Sequence, residues 1–475
     1  MTGSGMAHPR AKSIAVTAAS VALTALSTFL MTREAQLAQA AGFALLFLVV
    51  GVAVTVLNPR VIYASMAFAL GAIPFGVLPG AGQPIIFLLA VAVWGAVLTH
   101  PIAQTRTSPL EFTVFALVVA SLISVVVTAD GAAHLIEFAK WLLATSLVFA
   151  LLRLDYRDLR LFGVAFVHGV GAAAAFALGV FFLDKAGTTL NHLAIIGYGR
   201  TGTIGTHLRF YVMDNSTVVR LTGTYVDPNA AGIFLLVGLA LAVAMLRGWH
   251  RLVLGGVIVS ALIITLSRSA IFTVVVAFVL LLLFQKMSLD KKAAALAASI
   301  VTAAGLMTVP AVYSRIFDSF SSSDKGTADR ADALANYGDA MTGHWWFGRG
   351  WGIPEFTDEV VGYQTNYVAN SPLLAIYRGG LFVGAAFLAV LVVGAVLAYR
   401  RSRCEPWENG VIGAAFVGFA LVGLQLDFPV VTHAPLTMVF SVFIVFLIAN
   451  PIDPVPPSPE RLDPTIPNPE VAVHG

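Results

Sequence analysis

Charge is scarce in this chain. Of its 475 residues only 11% are Asp, Glu, Lys or Arg, where an ordinary soluble domain carries roughly 25%. Most side chains must therefore face lipid or one another, which excludes a soluble globular protein. The formal net charge is only +3, with no dense basic tract, so the electrostatic footprint of a nucleic-acid binder is missing too. Cysteine is nearly absent: Cys404 stands alone, which excludes an internal disulfide framework and any CxxC metal site. Ten histidines are scattered without a His-x-x-x-His or Glu-x-x-His pair, so neither a metal nor another cofactor is expected. What the chain has in quantity is apolar surface, with 58% hydrophobic residues and a mean hydropathy of +0.86.

That surplus is organised in runs. A membrane-spanning helix takes about 20 apolar residues, and shorter runs serve where the helix extends into the interface. Fourteen candidate spans follow, at 14–31, 41–57, 61–78, 84–98, 112–127, 135–152, 161–183, 230–245, 252–266, 269–284, 293–312, 371–399, 411–426 and 434–449. Short neighbours such as 41–57 and 61–78 fit re-entrant helices, so the expectation is an all-α polytopic membrane protein with 12–14 transmembrane helices. Basic residues in short loops stay on the cytoplasmic side. With the N-terminus inside, 15 Lys and Arg fall in cytoplasmic connections and only Arg33 and Arg268 in the opposite ones. Both termini are then cytoplasmic. The first span is too long for a signal-peptide core and reads as a retained anchor.

The spans divide the chain into N-terminal helices (1–183), an external loop (184–229), further helices (230–312), a large external loop (313–370), three C-terminal helices (371–449) and a cytoplasmic tail (450–475). Eight prolines between Pro451 and Pro469 make the tail a disordered extension. The large loop mixes charge with Trp345, Trp346 and Trp351, a composition expected to fold rather than stay a linker. Spacing over 326–341 predicts a short amphipathic helix with Ala331, Leu334, Ala335 and Met341 on its apolar face.

Arg268 lies between two apolar runs, in Leu266-Ser267-Arg268-Ser269-Ala270. Arginine near bilayer depth faces a cavity or an anionic partner, or snorkels to the headgroups. Lys140 follows Glu137 by one helical turn, which predicts an internal ion pair. Arg220 precedes Gly223-Thr224-Tyr225-Val226-Asp227-Pro228-Asn229, whose Asp-Pro-Asn is first a helix-start signal. Arg330 lies ahead of Phe347-Gly348-Arg349-Gly350-Trp351-Gly352. Alternating glycines there suit a tight turn, or a backbone that approaches a ligand. The tryptophans fit sugar stacking or, more commonly, anchoring at the headgroups. Arg378, beside Gly379 and Gly380, reads as a surface charge ahead of an anion contact.

In order, these pieces resemble the O-antigen ligase and O-antigen polymerase superfamily of bacterial polysaccharide assembly. The likeness spans about residues 215–385. It is carried by Arg220 with Gly223 to Asn229, by Leu266-Ser267-Arg268-Ser269, by Arg330 ahead of Phe347-Gly348-Arg349-Gly350, and by Asn370-Ser371-Pro372-Leu373 with Gly380. The resemblance implies a glycosyltransferase of the bacterial cytoplasmic (inner) membrane, with membrane lipid around it. Its donor would be a polyprenyl-diphosphate-linked glycan and its acceptor a sugar hydroxyl, with no metal. Arg268 and Arg330 would then hold the diphosphate as catalytic residues. Arg220, Asn370, Gly348 and Gly350 would contact substrate. Ligases of the family carry a histidine just before the asparagine matched by Asn370, and here that position is Ala369. The departure favours polymerase over ligase and leaves His344, His433, Asp339 or Glu355 as substitute bases. A transporter or flippase is the alternative class, though the two halves show no internal repeat.

Overall fold

A computed structural model describes residues 51, 54–79, 84–100, 107–184, 188–199, 202, 209–213, 216–310, 313, 334–335, 337–351, 371–403, 407–423 and 434–449. The proposed spans at 14–31 and most of 41–57, the tail, and Arg330, Glu355, Ala369, Asn370 and His433 lie outside the described residues.

Twelve long helices form the described architecture. In chain order they are α1 (Pro59–Ala72), α2 (Ile85–Thr99), α3 (Pro109–Thr128), α4 (Ala132–Leu151), α5 (Tyr156–Leu183) and α6 (Pro228–Met245). After them come α7 (Gly248–Ile264), α8 (Arg268–Phe284), α9 (Leu289–Met307), α10 (Ser371–Ser402), α11 (Trp407–Gly423) and α12 (Ala434–Ile448). Five of them, α3, α4, α5, α6 and α10, are long and apolar enough to cross a membrane by length and composition. Shorter apolar helices correspond to other expected spans. A helical membrane protein is thus the class the structure supports. It is not wholly α: the loop expected at 184–229 contains an antiparallel hairpin of β1 (Arg209–Met213) and β2 (Ser216–Arg220), with Arg209 opposite Arg220.

Several helices begin before the hydropathy does, because caps rather than apolar residues set their starts. The Ser108 hydroxyl accepts from the Leu110 amide ahead of Pro109, and the Asp155 carboxylate from the Asp158 amide. The span expected at 61–78 ends as a helix at Ala72. Ile73 precedes Pro74, whose ring disfavours helical backbone in the preceding residue, and Ile73 has φ −140.

Position in the bundle follows composition. Residues 435–447 of α12 are all buried, as is most of α6, so these two helices form the centre. Large apolar side chains elsewhere face outward, Phe112, Phe115, Leu122, Val126, Leu252 and Val392 among them. An apolar exterior of that extent suits lipid rather than water. The α1 and α5 backbones meet closely at Gly71 and Gly169, where a Cβ on Gly71 would lie 2.6 Å from the Phe166 carbonyl oxygen. Small residues at such a crossing let van der Waals packing hold helices together where lipid removes the hydrophobic drive.

Three ion pairs between described helices involve helix ends. Arg60 pairs with Asp158 at 2.6 Å, Arg153 with Glu111 at 2.5 Å and Arg251 with Glu408 at 3.2 Å. These join the starts of α1 and α5, the end of α4 with the start of α3, and the starts of α7 and α11. The expected Glu137–Lys140 pair forms within α4 at 2.7 Å.

Candidate functional site

Arg220 and Arg268 come to the same junction, the turn between α7 and α8. The last carbonyls of α7 have no partners within the helix and need outside donors. The Leu266 amide reaches the Ile263 carbonyl at 3.1 Å, the Leu221 amide that of Ile264 at 3.3 Å, and Arg220 Nε that of Thr265 at 3.0 Å. Arg220 Nη2 lies 3.1 Å from Asn229 Oδ1 and 3.5 Å from the Leu266 carbonyl oxygen. A hydroxyl relay completes the end: the Ser267 amide donates to Thr265 Oγ1 at 3.1 Å, and that hydroxyl donates to the Leu262 carbonyl at 2.6 Å. Arg220 therefore has a defined structural task. It caps α7, and as a cation at a helix C-terminus it also complements the helix dipole.

The same turn starts α8. Ser267 is its N-cap residue but makes no side-chain capping bond to the helix; its hydroxyl points 3.3 Å to Asn229 Oδ1. Arg268 is the first helical residue and is partly exposed. The start of α6 lies alongside, since a Cβ on Gly232 would come within 2.7 Å of Ala270 Cβ and 3.0 Å of Ser267 Oγ. Asp227 caps α6 as the sequence indicated, its carboxylate accepting from the Asn229 and Ala230 amides at 2.7 and 3.2 Å. Two helix N-termini thus lie side by side, with the guanidinium of Arg268 carried on the one whose cap residue makes no such bond. Amides and helix dipoles at such ends favour anions.

Backbone strain marks both flanks of this junction. Val226 has φ 67 and ψ −46, and the Asp227 amide donates to the Tyr225 carbonyl at 2.7 Å. That is a γ-turn in its rare, strained positive-φ form, built on a β-branched residue. Leu266, where α7 ends, has φ 51 at a position that glycine usually takes. The preceding Gly223-Thr224-Tyr225 is packed into the fold: Thr224 Oγ1 donates to the Ala72 carbonyl at 2.7 Å and Tyr225 Oη to that of Gly71 at 3.0 Å. Burial pushes the Tyr225 phenol well above its ordinary range, so it stays a neutral donor.

The glycine-rich segment of the large loop docks elsewhere, on a break in α10. Gly380 has φ 79 and ψ −176, which interrupts that helix. Backbone from the loop satisfies the opened groups: Arg349 and Gly350 amides donate to the Tyr377 and Arg378 carbonyls at 2.7 and 3.1 Å, and the Leu381 amide to Trp345 at 2.8 Å. Gly348 has φ 75, and a Cβ there would collide with the Arg378 carbonyl oxygen; one on Gly380 would collide with that of Trp346. Gly348 and Gly350 accordingly act as turn residues packed against protein.

Three expectations change here. Arg378 is not a surface charge but buried, 5.7 Å over the Trp351 ring, because the docked loop covers it. Trp351 is no interfacial anchor either; it is 1% exposed, with ring centroids 4.5 Å from Trp141 and 5.5 Å from Phe138. Trp345 and Trp346 are the exposed pair. In the described part of the expected amphipathic helix Met341 is buried as expected, but Tyr337 joins it while Leu334 and Ala335 are exposed, since the Tyr337 hydroxyl reaches the Leu373 carbonyl at 2.8 Å and turns that side inward; Ala331 lies outside the described residues. His344 and Asp339 are exposed.

Sequence reasoning passed over Thr265 and gave Ser267 no role beyond its place in Leu266-Ser267-Arg268-Ser269, although three hydroxyls in Thr265-Leu-Ser-Arg-Ser269 stand out between apolar runs. It also passed over Asp130 and His134, four residues apart at the start of α4, whose Oδ1 and Nε2 lie 3.0 Å apart. A scan of family models and a search of curated proteins found no match to the chain.

Proposed function

We propose that the chain is a membrane-embedded glycosyltransferase acting on polyprenyl-diphosphate-linked glycan at the outer face of the bacterial cytoplasmic membrane. Polymerisation of repeat units is favoured over ligation. In this reading 12–14 helices span the bilayer and both termini are cytoplasmic. The observation that carries it is the junction of α6 and α8, where Arg268 opens a helix beside a second helix N-terminus. Fixed cationic and amide donors in a partly dehydrated site stabilise the charge that develops on a departing diphosphate. The acceptor hydroxyl oxygen attacks the anomeric carbon, the bond from that carbon to the phosphate oxygen breaks, and the lipid diphosphate leaves with the bonding electrons. The hydroxyl proton passes to a base or to water. Arg220 holds the turn that presents Arg268, and so acts as a positioning residue.

The transporter reading draws on the interrupted helix α10, since broken helices accompany carrier sites. The Tyr377 and Arg378 carbonyls and the Leu381 amide at this break are bonded by the docked loop, which leaves fewer backbone groups for a carrier site and favours the transferase.

The test uses the full chain in vesicles with lipid-linked glycan as donor. Arg268→Ala is expected to lower acceptor-dependent donor consumption by about 10²–10³-fold, the cost of removing one charge-stabilising donor, with membrane insertion unchanged. Arg268→Lys is expected to restore little, because an ammonium lacks the two-pronged geometry. Full activity in Arg268→Ala overturns the assignment. Movement of intact donor across the bilayer without consumption returns the chain to transport.

A further inference from the structure

The helix α9 stands apart. None of its residues with a described side chain is buried, and between it and the bundle runs a cleft of about 890 Å³. The walls come from α6, α8 and α11 through residues such as Leu239, Phe278, Leu282 and Val411, and are almost wholly apolar. The volume falls in the roughly 300–1,000 Å³ range of ligand pockets. Polarity is confined to one end, where Lys286 and Lys291 line the cleft beside Gln285 and Ser288. Asp290 lies between the two lysines in sequence but is not among the lining residues. This end also holds Arg251, which pairs with Glu408 and lies 5.6 Å over the Trp407 ring. Its carboxylate partner already occupies that arginine, which leaves the lysines to set the charge of the mouth.

We infer that the cleft binds an anionic phospholipid, with an acyl chain between α9 and the bundle and the phosphate at Lys286 and Lys291. The two ends of the cleft argue for one molecule with both properties. An apolar slot open along its side suits a hydrocarbon chain, and ammonium groups at its mouth suit a headgroup phosphate, which Lys binds as a point charge. A zwitterionic lipid would fill the slot equally well but gain little net attraction at the mouth. A polar peptide would leave its backbone groups unbonded against the apolar walls. The inference rests on the membrane-spanning reading and is independent of any transferase chemistry.

Trp407 lines the cleft and supplies the probe. The full chain in neutral detergent is titrated with phosphatidylglycerol or phosphatidylcholine carrying the same brominated acyl chains. Quenching that disappears in Trp407→Phe reports the cleft. Phosphatidylglycerol is expected to reach half-quenching at a concentration at least tenfold lower, since two surface lysines favour an anionic lipid by roughly thirtyfold together. Lys286→Gln with Lys291→Gln is expected to erase that preference while both lipids still quench. Ala414→Phe, which fills part of the slot without adding a tryptophan, is expected to weaken quenching of Trp407 by both. Equal titrations in the unaltered chain, or a preference that survives the double lysine change, overturn the proposal.

Discussion

Two of the described junctions that use positive φ reach it with different residues. At the break in α10, glycine occupies the left-handed positions: Gly348, Gly350 and Gly380 have φ 75, 106 and 79. The loop and the broken helix there interlock at little conformational cost. At the turn that presents Arg268, Gly223 at φ 58 is joined by two non-glycine residues, Val226 at φ 67 and Leu266 at φ 51; L side chains adopt such φ only at a cost of order 1–3 kcal/mol each. The first junction has the character of a structural joint, with its amides and carbonyls matched and Trp351 buried beneath it. The second is held in a conformation its own residues disfavour, by Arg220, by the Thr265 and Ser267 hydroxyls and by the packing of Thr224 and Tyr225 under α1. Strain of that kind persists where surrounding structure over-determines it, and it tends to collect at functional sites. The functional proposal therefore sits on the strained junction.

The largest expected effect lies at the joint. Gly380→Ala places a Cβ in a backbone region open essentially to glycine alone and against the Trp346 carbonyl. Destabilisation by about 3 kcal/mol or more is expected, read as a lost monodisperse peak or a lowered melting temperature in detergent. An unchanged melting curve would show that α10 runs unbroken.

Next comes Arg220→Ala, which strips two carbonyls at the end of α7 of their donor. A loss of about 1–3 kcal/mol in stability is expected, with transfer reduced alongside it, and Arg220→Lys recovering part of both through its charge. Arg268→Ala, by contrast, is expected to affect turnover alone. If both arginine variants melt like the unaltered chain, the capping role of Arg220 fails.

The smallest effect separates the two junctions directly. Val226→Gly relaxes the γ-turn, and release of strain less the entropy of a new glycine leaves a gain of about 1 kcal/mol. Transfer activity is expected to fall, because the turn then holds Asp227 and Asn229 less firmly. A melting temperature that drops would instead mark Val226 as an ordinary packing residue.

Much of the helical layout was legible because lipid imposes it. Apolar runs located the twelve long helices, most of them to within five residues, although α1 ends six residues short of the run at 61–78 and the short 3₁₀ helix Thr188–Ile196 had no run to mark it; Ser108, Asp155 and Asp227 account, as caps, for the early starts of α3, α5 and α6. The Glu137–Lys140 pair followed from helical spacing alone. Less of the candidate site could be read. Arg220 and Arg268 were singled out, but only folding brings residue 220 to the end of a helix that closes 45 positions later. Arg378 and Trp351 were misread because a docked loop buries both, and sequence does not say where a loop docks. The relay through the Thr265 hydroxyl, and the Ser267 hydroxyl's reach to Asn229, depend on χ angles and on a helix end, neither of which has a sequence signal.

The sequence by itself determined that this is a helical chain made for an apolar surround, because hydropathy and charge act locally and add along the chain. Tertiary structure decided which arginine caps a helix, which lies buried under tryptophan and which opens α8 beside a second helix start. Those outcomes depend on directions and distances between segments far apart in sequence, and a hydrogen bond or a buried charge is decided by distances of a few tenths of an ångström.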